Sequence, residues 1–223
     1  MKIILGNKKY SSWSLRGWLA LKLSGFEFEE IVLTLDTPEF YKQIKKYSPT
    51  ICVPVLHHGE TAVWDSLAII DYIDRLCPKL KLWPEDTAAY GLARAISAEM
   101  HSGFMALRNA APMNIGKNYT GLALADAVAK DVARIDVIWS EARSKFGAGG
   151  DFLFGDFSAA DIMFAPVVHR FNGYNLPRSE ISQAYIDAML AHPAMQEWAK
   201  DAMQETEVLE REEHEPDSTM LGT

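Results

Sequence analysis

The stretch "ICVPVLHHGETAVWDSLAIIDYI", Ile51 to Ile73, decides how the first part of this chain is read. Within it, Val53 to Trp64 carries two short apolar runs about a His58-Gly59 turn, the signature of a β-hairpin. Ser66 then opens a helix in which Leu67, Ile70, Ile73 and Leu76 recur at helical spacing. Pro54 stands just before the first run, where its missing N–H is unwelcome inside a paired strand, so the residue marks a special turn. Two forms fit: a trans proline at a strand start, or a cis Val53-Pro54 bond. The cis form would turn the N–H and C=O of Val53 outward, free to pair with a peptide-like ligand as a neighbouring strand would. Asp65 and Ser66 also have two readings. Either caps the helix, or Ser66 and the first-turn N–H groups bind a carboxylate while Asp65 accepts from an ammonium, a combination suited to an α-amino acid head group.

Upstream of the hairpin, Lys2 to Leu5 and "EEIVLTL", Glu29 to Leu35, read as strands. Leu15, Trp18, Leu19 and Leu23 define a helix between them, and "TPEFYKQIKKYS" begins another with Pro38 early. The order β-α-β-α-β-β-α predicts a small mixed sheet with helices on both faces. After "CPKLKLWPEDTAA" the strand signals stop. From Ala88 onward the pattern is helical, in "YGLARAISAEMHSGFMALRNAA", "GLALADAVAKDVARIDVIWSEARSKF", "SAADIMFAPVVHRF", "ISQAYIDAMLAH" and "AMQEWAKDAMQETEVLERE". The expected organisation is an α/β unit over 1–81, a linker over 82–87 and an all-helical unit over 88–223 whose polar end, "EHEPDSTMLGT", frays.

The segment "GNKKYSSWSLRGWLALKL", Gly6 to Leu23, places adjacent serines at a helix start. Ser11 or Ser12 can be a plain N-cap. Equally, a helix N-terminus with its free N–H groups and partial positive charge suits an anion or a thiolate.

The 223 residues are 48% apolar and 23% charged, ordinary for a globular protein with a sizeable core. A net charge of -8 argues against nucleic acid or an anionic membrane surface as the main partner. No apolar run approaches a membrane span, and the N-terminus turns polar too soon for a signal peptide, so a cytoplasmic protein is expected. Cys52 and Cys77 form neither a Cys-x-x-Cys pair nor a metal cluster; both are expected as buried apolar fillers, and no metal site is expected.

The spacing of Ser11, "VPVL" and "DSLAIIDYI", followed by a helical region, resembles the cytosolic glutathione transferase family. The resemblance implies a thioredoxin-like N-terminal domain with a mixed four-stranded sheet and an all-helical C-terminal domain. By the same resemblance Pro54 is the family's cis-proline, Val53 pairs with the cysteinyl portion of glutathione, and Asp65 and Ser66 hold the γ-glutamyl group. "FSAADIMFAPVV" resembles the family's capping box, with Ser158 and Asp161 at Ser-x-x-Asp spacing. "SSWSLRGWLALK" is similar to the zeta-class pattern "SSCSWRVRIAL"; counting back from Arg16 makes Ser11 the catalytic hydroxyl, with Ser12 and Trp13 beside it in the glutathione site. Trp13 stands where that pattern has cysteine. Ile51 and Cys52 stand where relatives often carry Lys or Gln for the glycine end; Lys45 or Lys46 is a candidate substitute, against the reading of charges on a solvated helix face. "EMHSGFMAL" is similar to the beta-class "ELHKGFTPL", making His101 a candidate polar contact near the thiol, against the reading of a plain helix histidine. Arg108, Met105 and Met113 are candidates for the second-substrate pocket or for ordinary packing. The implied function is conjugation of glutathione, as substrate, to a small apolar electrophile by a homodimer. The alternatives are a non-catalytic glutathione-binding or regulatory module and a glutathione-dependent cis-trans isomerase.

Overall fold

Strands β1 (Lys2–Gly6), β2 (Glu29–Leu33), β3 (Val55–His58) and β4 (Thr61–Val63) join into one sheet of order β2-β1-β3-β4. The computed structural model describes residues 1–119, 124–213 and 218–220. β1 runs parallel to β2 and antiparallel to β3, with Ile4 opposite both Ile31 and Val55. Because side chains alternate along a strand, Ile3 and Leu5 enter the main core while Ile4 enters a smaller one with Leu33, Phe40, Ile44 and Val55. Helices α1 (Ser12–Ser24) and α3 (Ser66–Leu76) cover the first face, and α2 (Pro38–Ile44) the second. The hairpin turn lies one residue later than expected: His58 still pairs with Thr61, and Gly59 takes φ 61. β2 ends at Leu33 instead of Leu35.

The rest is chiefly helical: α4 (Thr87–Ser102), α5 (Met105–Ala110), α6 (Asp126–Phe146), α7 (Ala159–Gly173), α8 (Glu180–Ala191) and α9 (Pro193–Ala202). The expected single helix from Tyr90 to Ala111 is instead α4 and α5. The break falls where Gly103 N–H closes α4 on the Glu99 carbonyl at 2.8 Å and Phe104 turns to φ 58. The start of the next expected helix, 121–123, lies outside the described residues.

Two further corrections concern the C-terminal end. The helix expected to run to Glu212 stops at Ala202, because Glu205 is drawn onto the Lys8 and Lys9 backbone N–H groups, at 2.6 and 2.9 Å. The expected all-helical unit also contains a two-stranded ribbon, β5 (Lys117–Tyr119) with β6 (Ser218–Met220), so the end expected to fray is paired at Ser218–Met220. Residues 214–217 and 221–223 lie outside the described residues.

The connection after α3 is clamped. Leu82 is fully buried and its carbonyl accepts from Ala159 N–H at 2.7 Å. Trp83 Nε1 donates to Asp71 at 3.0 Å, and Arg94 pairs with the same carboxylate at 2.6 Å while lying over the Trp83 ring. Lys8 makes a second tie: its ammonium is buried between the Trp18 and Trp198 rings and pairs with Glu30 and Asp201, each at 2.6 Å. Both ties join the sheet unit to the helices. The cysteine expectation needs correcting too. Cys52 is exposed and Cys77 half-buried, since neither lies on the inward face of an element.

The Ser158–Asp161 expectation is met: the fully buried Asp161 carboxylate accepts from Ser158 N–H at 2.8 Å, Ser158 O–H at 2.7 Å and Leu153 N–H at 3.1 Å. Asp161→Ala strands three buried donors at the start of the central helix α7. Urea unfolding should show a loss of about 3 kcal/mol or more, with Asp161→Asn, which keeps an acceptor oxygen, losing less.

Candidate functional site

Ser11, Ser12, Trp13 and Val53 line one cavity of about 350 Å³, together with Arg108 of α5 and Arg170 of α7. The cavity opens where the start of α1 meets the loop before β3. Asp65, Ser66 and His101 lie beside it rather than in its wall, and Pro54 is buried behind Val53. The Val53-Pro54 bond is cis. Its ring sits so close to α1 that a Cβ on Gly17 would come within 2.8 Å of the proline Cγ, so only glycine permits the approach. Ahead of it, buried Ser48 organises the loop by accepting from Thr50 N–H at 3.3 Å and Cys52 N–H at 3.4 Å, while Ile51 is held at φ 59.

Ser11 is the N-cap of α1. Its oxygen accepts from Ser14 N–H at 3.4 Å and its hydroxyl donates to Ser14 Oγ at 2.8 Å. Ser14, fully buried, also accepts from Gly6 N–H at 2.9 Å, which ties the helix start to β1. Ser12 hydroxyl has no protein hydrogen bond among the described residues, although the Ser12 carbonyl accepts from Arg16 Nη1 at 3.2 Å. The two serines are therefore unlike: one is engaged inward and the other faces the cavity unengaged.

Asp65 caps α3 through Oδ1, which accepts from Leu67 and Ala68 N–H at 3.0 and 3.4 Å. Its Oδ2 lies 3.0 Å from His101 Nε2 across the gap between α3 and α4. His101 is thus a partner of Asp65 and packs edge-on to Trp13 at 5.3 Å. Ser66 is fully buried at the first turn of α3, with its hydroxyl unpartnered among the described residues.

Sequence reasoning named Arg108 and Met105, which line the cavity, but missed Arg16 and Arg170. Arg16 is buried and, among the described residues, its guanidinium donates to two carbonyls, Met163 at 2.8 Å and Ser12 at 3.2 Å. Arg170 is likewise buried on the carbonyls of Ala111 and Pro166. Burial and the neighbouring Arg170 and Arg108 hold Arg16 well below the ordinary arginine range, and burial with Arg108 brings Arg170 down to about 10. Trp13 separates two of these cations: Arg16 lies 4.4 Å from its ring and Arg108 4.7 Å. A charged residue flanked by apolar neighbours on both helix sides, as in "SLRGWL" and "VVHRFN", was the available signal. Such an arrangement can stabilise an anion, whether a thiolate at the start of α1 or a carboxylate deeper in the cavity. The described residues hold no cluster of metal ligands and no helix long and apolar enough to cross a membrane.

Known proteins share this fold. Residues 10–76 match the glutathione S-transferase N-terminal domain and residues 123–201 the glutathione S-transferase C-terminal domain. The chain is 30% identical over 186 residues to glutathione S-transferase 1 of Dianthus caryophyllus, covering 80% of this chain and 82% of the relative. It is 26% identical over 172 residues to a probable maleylacetoacetate isomerase of Caenorhabditis elegans, covering 75% and 77%. Among solved structures, a Burkholderia glutathione transferase homologue with bound glutathione has the same fold, with a TM-score of 0.70 at 23% identity over 92% of this chain and 98% of that one. A bacterial zeta-class maleyl pyruvate isomerase superposes equally well, with a TM-score of 0.70 at 22% identity over 93% and 100%. The chain belongs to the glutathione S-transferase family, with its thioredoxin-like sheet domain followed by helices.

The buried cations have a consequence for acid stability. Burial, then the charge of Arg170, lowers the His169 imidazole to about 4. Between its ordinary value near 6.5 and that value, the unfolded chain binds a proton that the folded chain refuses, so this contribution to stability falls as pH drops through the window. Unfolding free energy should lose about 2 to 3 kcal/mol from this group between pH 6.5 and 4, and His169→Gln should abolish that part of the slope in a pH series of urea titrations.

Proposed function

We propose that this protein is a glutathione transferase whose cavity beside Ser11 receives glutathione and a small electrophile. The observation that carries the reading is the convergence of a capped helix start and Val53, of the cis Val53-Pro54 bond, on one cationic cavity, with the buried, unpartnered Ser66 beside it. In this reading the sheet unit, 1–81, binds the tripeptide, 82–87 connects, and the helical unit from 88 supplies the second-substrate wall. Val53 backbone pairs with the cysteinyl residue, Pro54 sets its direction, Ser66 takes the γ-glutamyl carboxylate and Asp65 the ammonium, with His101 behind Asp65. Glutathione is the substrate, with no metal in the reaction. A homodimer in the cytoplasm follows from family likeness.

Chemistry needs the thiolate, since a free thiol with pKa near 8.5 is a poor nucleophile. Ser11 is supported as the donor to sulfur by its place at the α1 N-terminus and by its bond to Ser14. That bond can reverse by hydroxyl rotation alone. Ser14 then donates to Ser11 Oγ, and Ser11 turns its proton to the sulfur without any heavy atom moving. Exchanging a neutral hydrogen bond for a charge-assisted one is favourable by about 1 kcal/mol or more, and the helix N-terminus and nearby arginines add to it. The thiolate sulfur attacks the electrophilic carbon, a C–S bond forms, and the displaced group leaves with its electron pair.

Arg108 and Arg170 refine the expected apolar electrophile. Leu35, Phe40 and Met105 supply apolar lining, but two guanidinium groups in the same cavity favour a substrate that also carries a carboxylate. This favours one second reading: glutathione-dependent isomerisation of a cis-olefinic acid. There the thiolate adds to the double bond, the bond rotates, and expulsion of the thiolate regenerates glutathione.

Ser11→Ala should raise the thiol pKa of bound glutathione by about one to two units, read from the ultraviolet absorbance of the thiolate, beside a capping loss of about 0.5 to 2 kcal/mol. Ser14→Ala should give a smaller shift. A shift confined to Ser12→Ala or His101→Ala would reassign the donor. Arg108→Gln and Arg170→Gln should raise KM several-fold for carboxylate-bearing electrophiles and leave KM for a neutral aryl halide unchanged, a pattern at odds with a purely apolar pocket. Glutathione consumed during turnover supports conjugation, and glutathione regenerated supports isomerisation. Tight binding without turnover of either substrate class would leave a binding module.

A further inference from the structure

The loop ahead of Val53 offers glutathione's glycine carboxylate no cation, for Ile51 and Cys52 stand there. The structure supplies one from the other end of the chain. Beyond α9 the segment Glu205–Glu213 runs back over the entrance to α1, anchored at both ends. At the first anchor, the Glu205 carboxylate accepts from Lys8 and Lys9 N–H and its carbonyl from Lys9 Nζ at 3.1 Å. At the second, Glu213 accepts from Tyr10 O–H at 2.6 Å and Asn114 Nδ2 at 3.1 Å, and pairs with Lys117. A single turn of 3₁₀ helix, Glu210–Glu212, then carries Arg211 and Glu212 to the cavity that Ile51, Cys52 and Val53 line from the opposite side.

Arg211 Nε lies 2.8 Å from Asp36 Oδ2, just beyond β2, and 3.2 Å from Glu212 Oε1. Both of these pairs are at Nε, and neither Nη has a hydrogen bond among the described residues, which leaves N–H groups of the planar fork for a second carboxylate. The direction of the tripeptide then selects the ligand group. If Val53 holds the cysteinyl residue and Ser66 the γ-glutamyl end, glycine runs the opposite way, toward the rim where Leu35, Ile51 and Arg211 meet.

We propose that Arg211 binds the glycine carboxylate of glutathione, bridged between it and Asp36, and that the Glu205–Glu213 segment is thereby part of the glutathione site. The assignment deepens the transferase reading and rests on it. Arg211 replaces the residue that the loop before Val53 lacks, and it makes the C-terminal segment necessary for affinity while leaving the chemistry at sulfur alone.

The test compares glutathione with its glycine monoethyl ester, which removes only that negative charge. Calorimetry should show the natural protein preferring glutathione over the ester by about five- to tenfold, a range set by a partly exposed charge-assisted contact. In Arg211→Gln glutathione affinity should fall until the two ligands bind alike, with ester affinity unchanged; Arg211→Lys should restore part of the preference. KM for glutathione should rise while kcat and the bound thiol pKa stay constant. An undiminished preference in Arg211→Gln overturns the assignment, as does a preference lost only in Lys45→Gln with Lys46→Gln. Glutathione that fails to bind the natural protein would instead overturn the transferase reading beneath it.

Discussion

The site depends on how closely α1 lies against Pro54. Gly17 permits that approach, and its replacement by any side chain would push the proline and the helix apart. With the helix seated there, its N-terminus points at the cavity and Val53 forms the opposite wall. Three polar ties keep it in place: Ser14 to Gly6 of β1, Arg16 to the Met163 carbonyl of α7, and the Lys8 ammonium between two tryptophan rings with Glu30 and Asp201. The helix start is thus fixed against both the sheet and the helical region. A hydroxyl can be pre-organised for chemistry only when its helix cannot slide.

Charge is arranged against the average. The chain carries a net charge of -8, yet Arg108, Arg170 and Arg211 line one cavity with Glu212, and Asp36 pairs with Arg211 beside it. Carbonyl oxygens satisfy the buried guanidiniums without neutralising them, and the Trp13 ring stands between Arg16 and Arg108. Burial of a cation costs stability, and burial is the main cause that lowers Arg16 and Arg170 from the ordinary arginine range. A cationic cavity in an acidic protein therefore selects its ligand locally, with the surrounding surface contributing nothing favourable to an anion.

The position of His101 illustrates the difference between a motif and a role. Its resemblance-based assignment put it near the thiol. In the fold it lies against Asp65 Oδ2 and the edge of Trp13, residues that flank and line the cavity. Ser66, by contrast, is where a local reading puts it, at the first turn of α3, because capping chemistry involves residues two or three apart in the chain.

The sequence by itself determined what short-range rules control. The hairpin around Gly59, the first strand over Lys2 to Leu5 and the helix starts at Ser11, Thr37, Asp65 and Ser158 were legible in local order. Family likeness added roles for Ser11, Val53, Asp65 and Ser66. Tertiary structure alone decided that Arg108 and Arg170, on two separate helices, would line one cavity, with Arg16 behind the Trp13 ring. It also decided that Glu205 would end α9 early and send Arg211 back across the chain to Asp36. No window of neighbouring residues contains those partners. Glu205 meets Lys8 and Arg211 meets Asp36 only once packing has overruled helical propensity, and a carboxylate closing on two backbone N–H groups outweighs one more turn of helix.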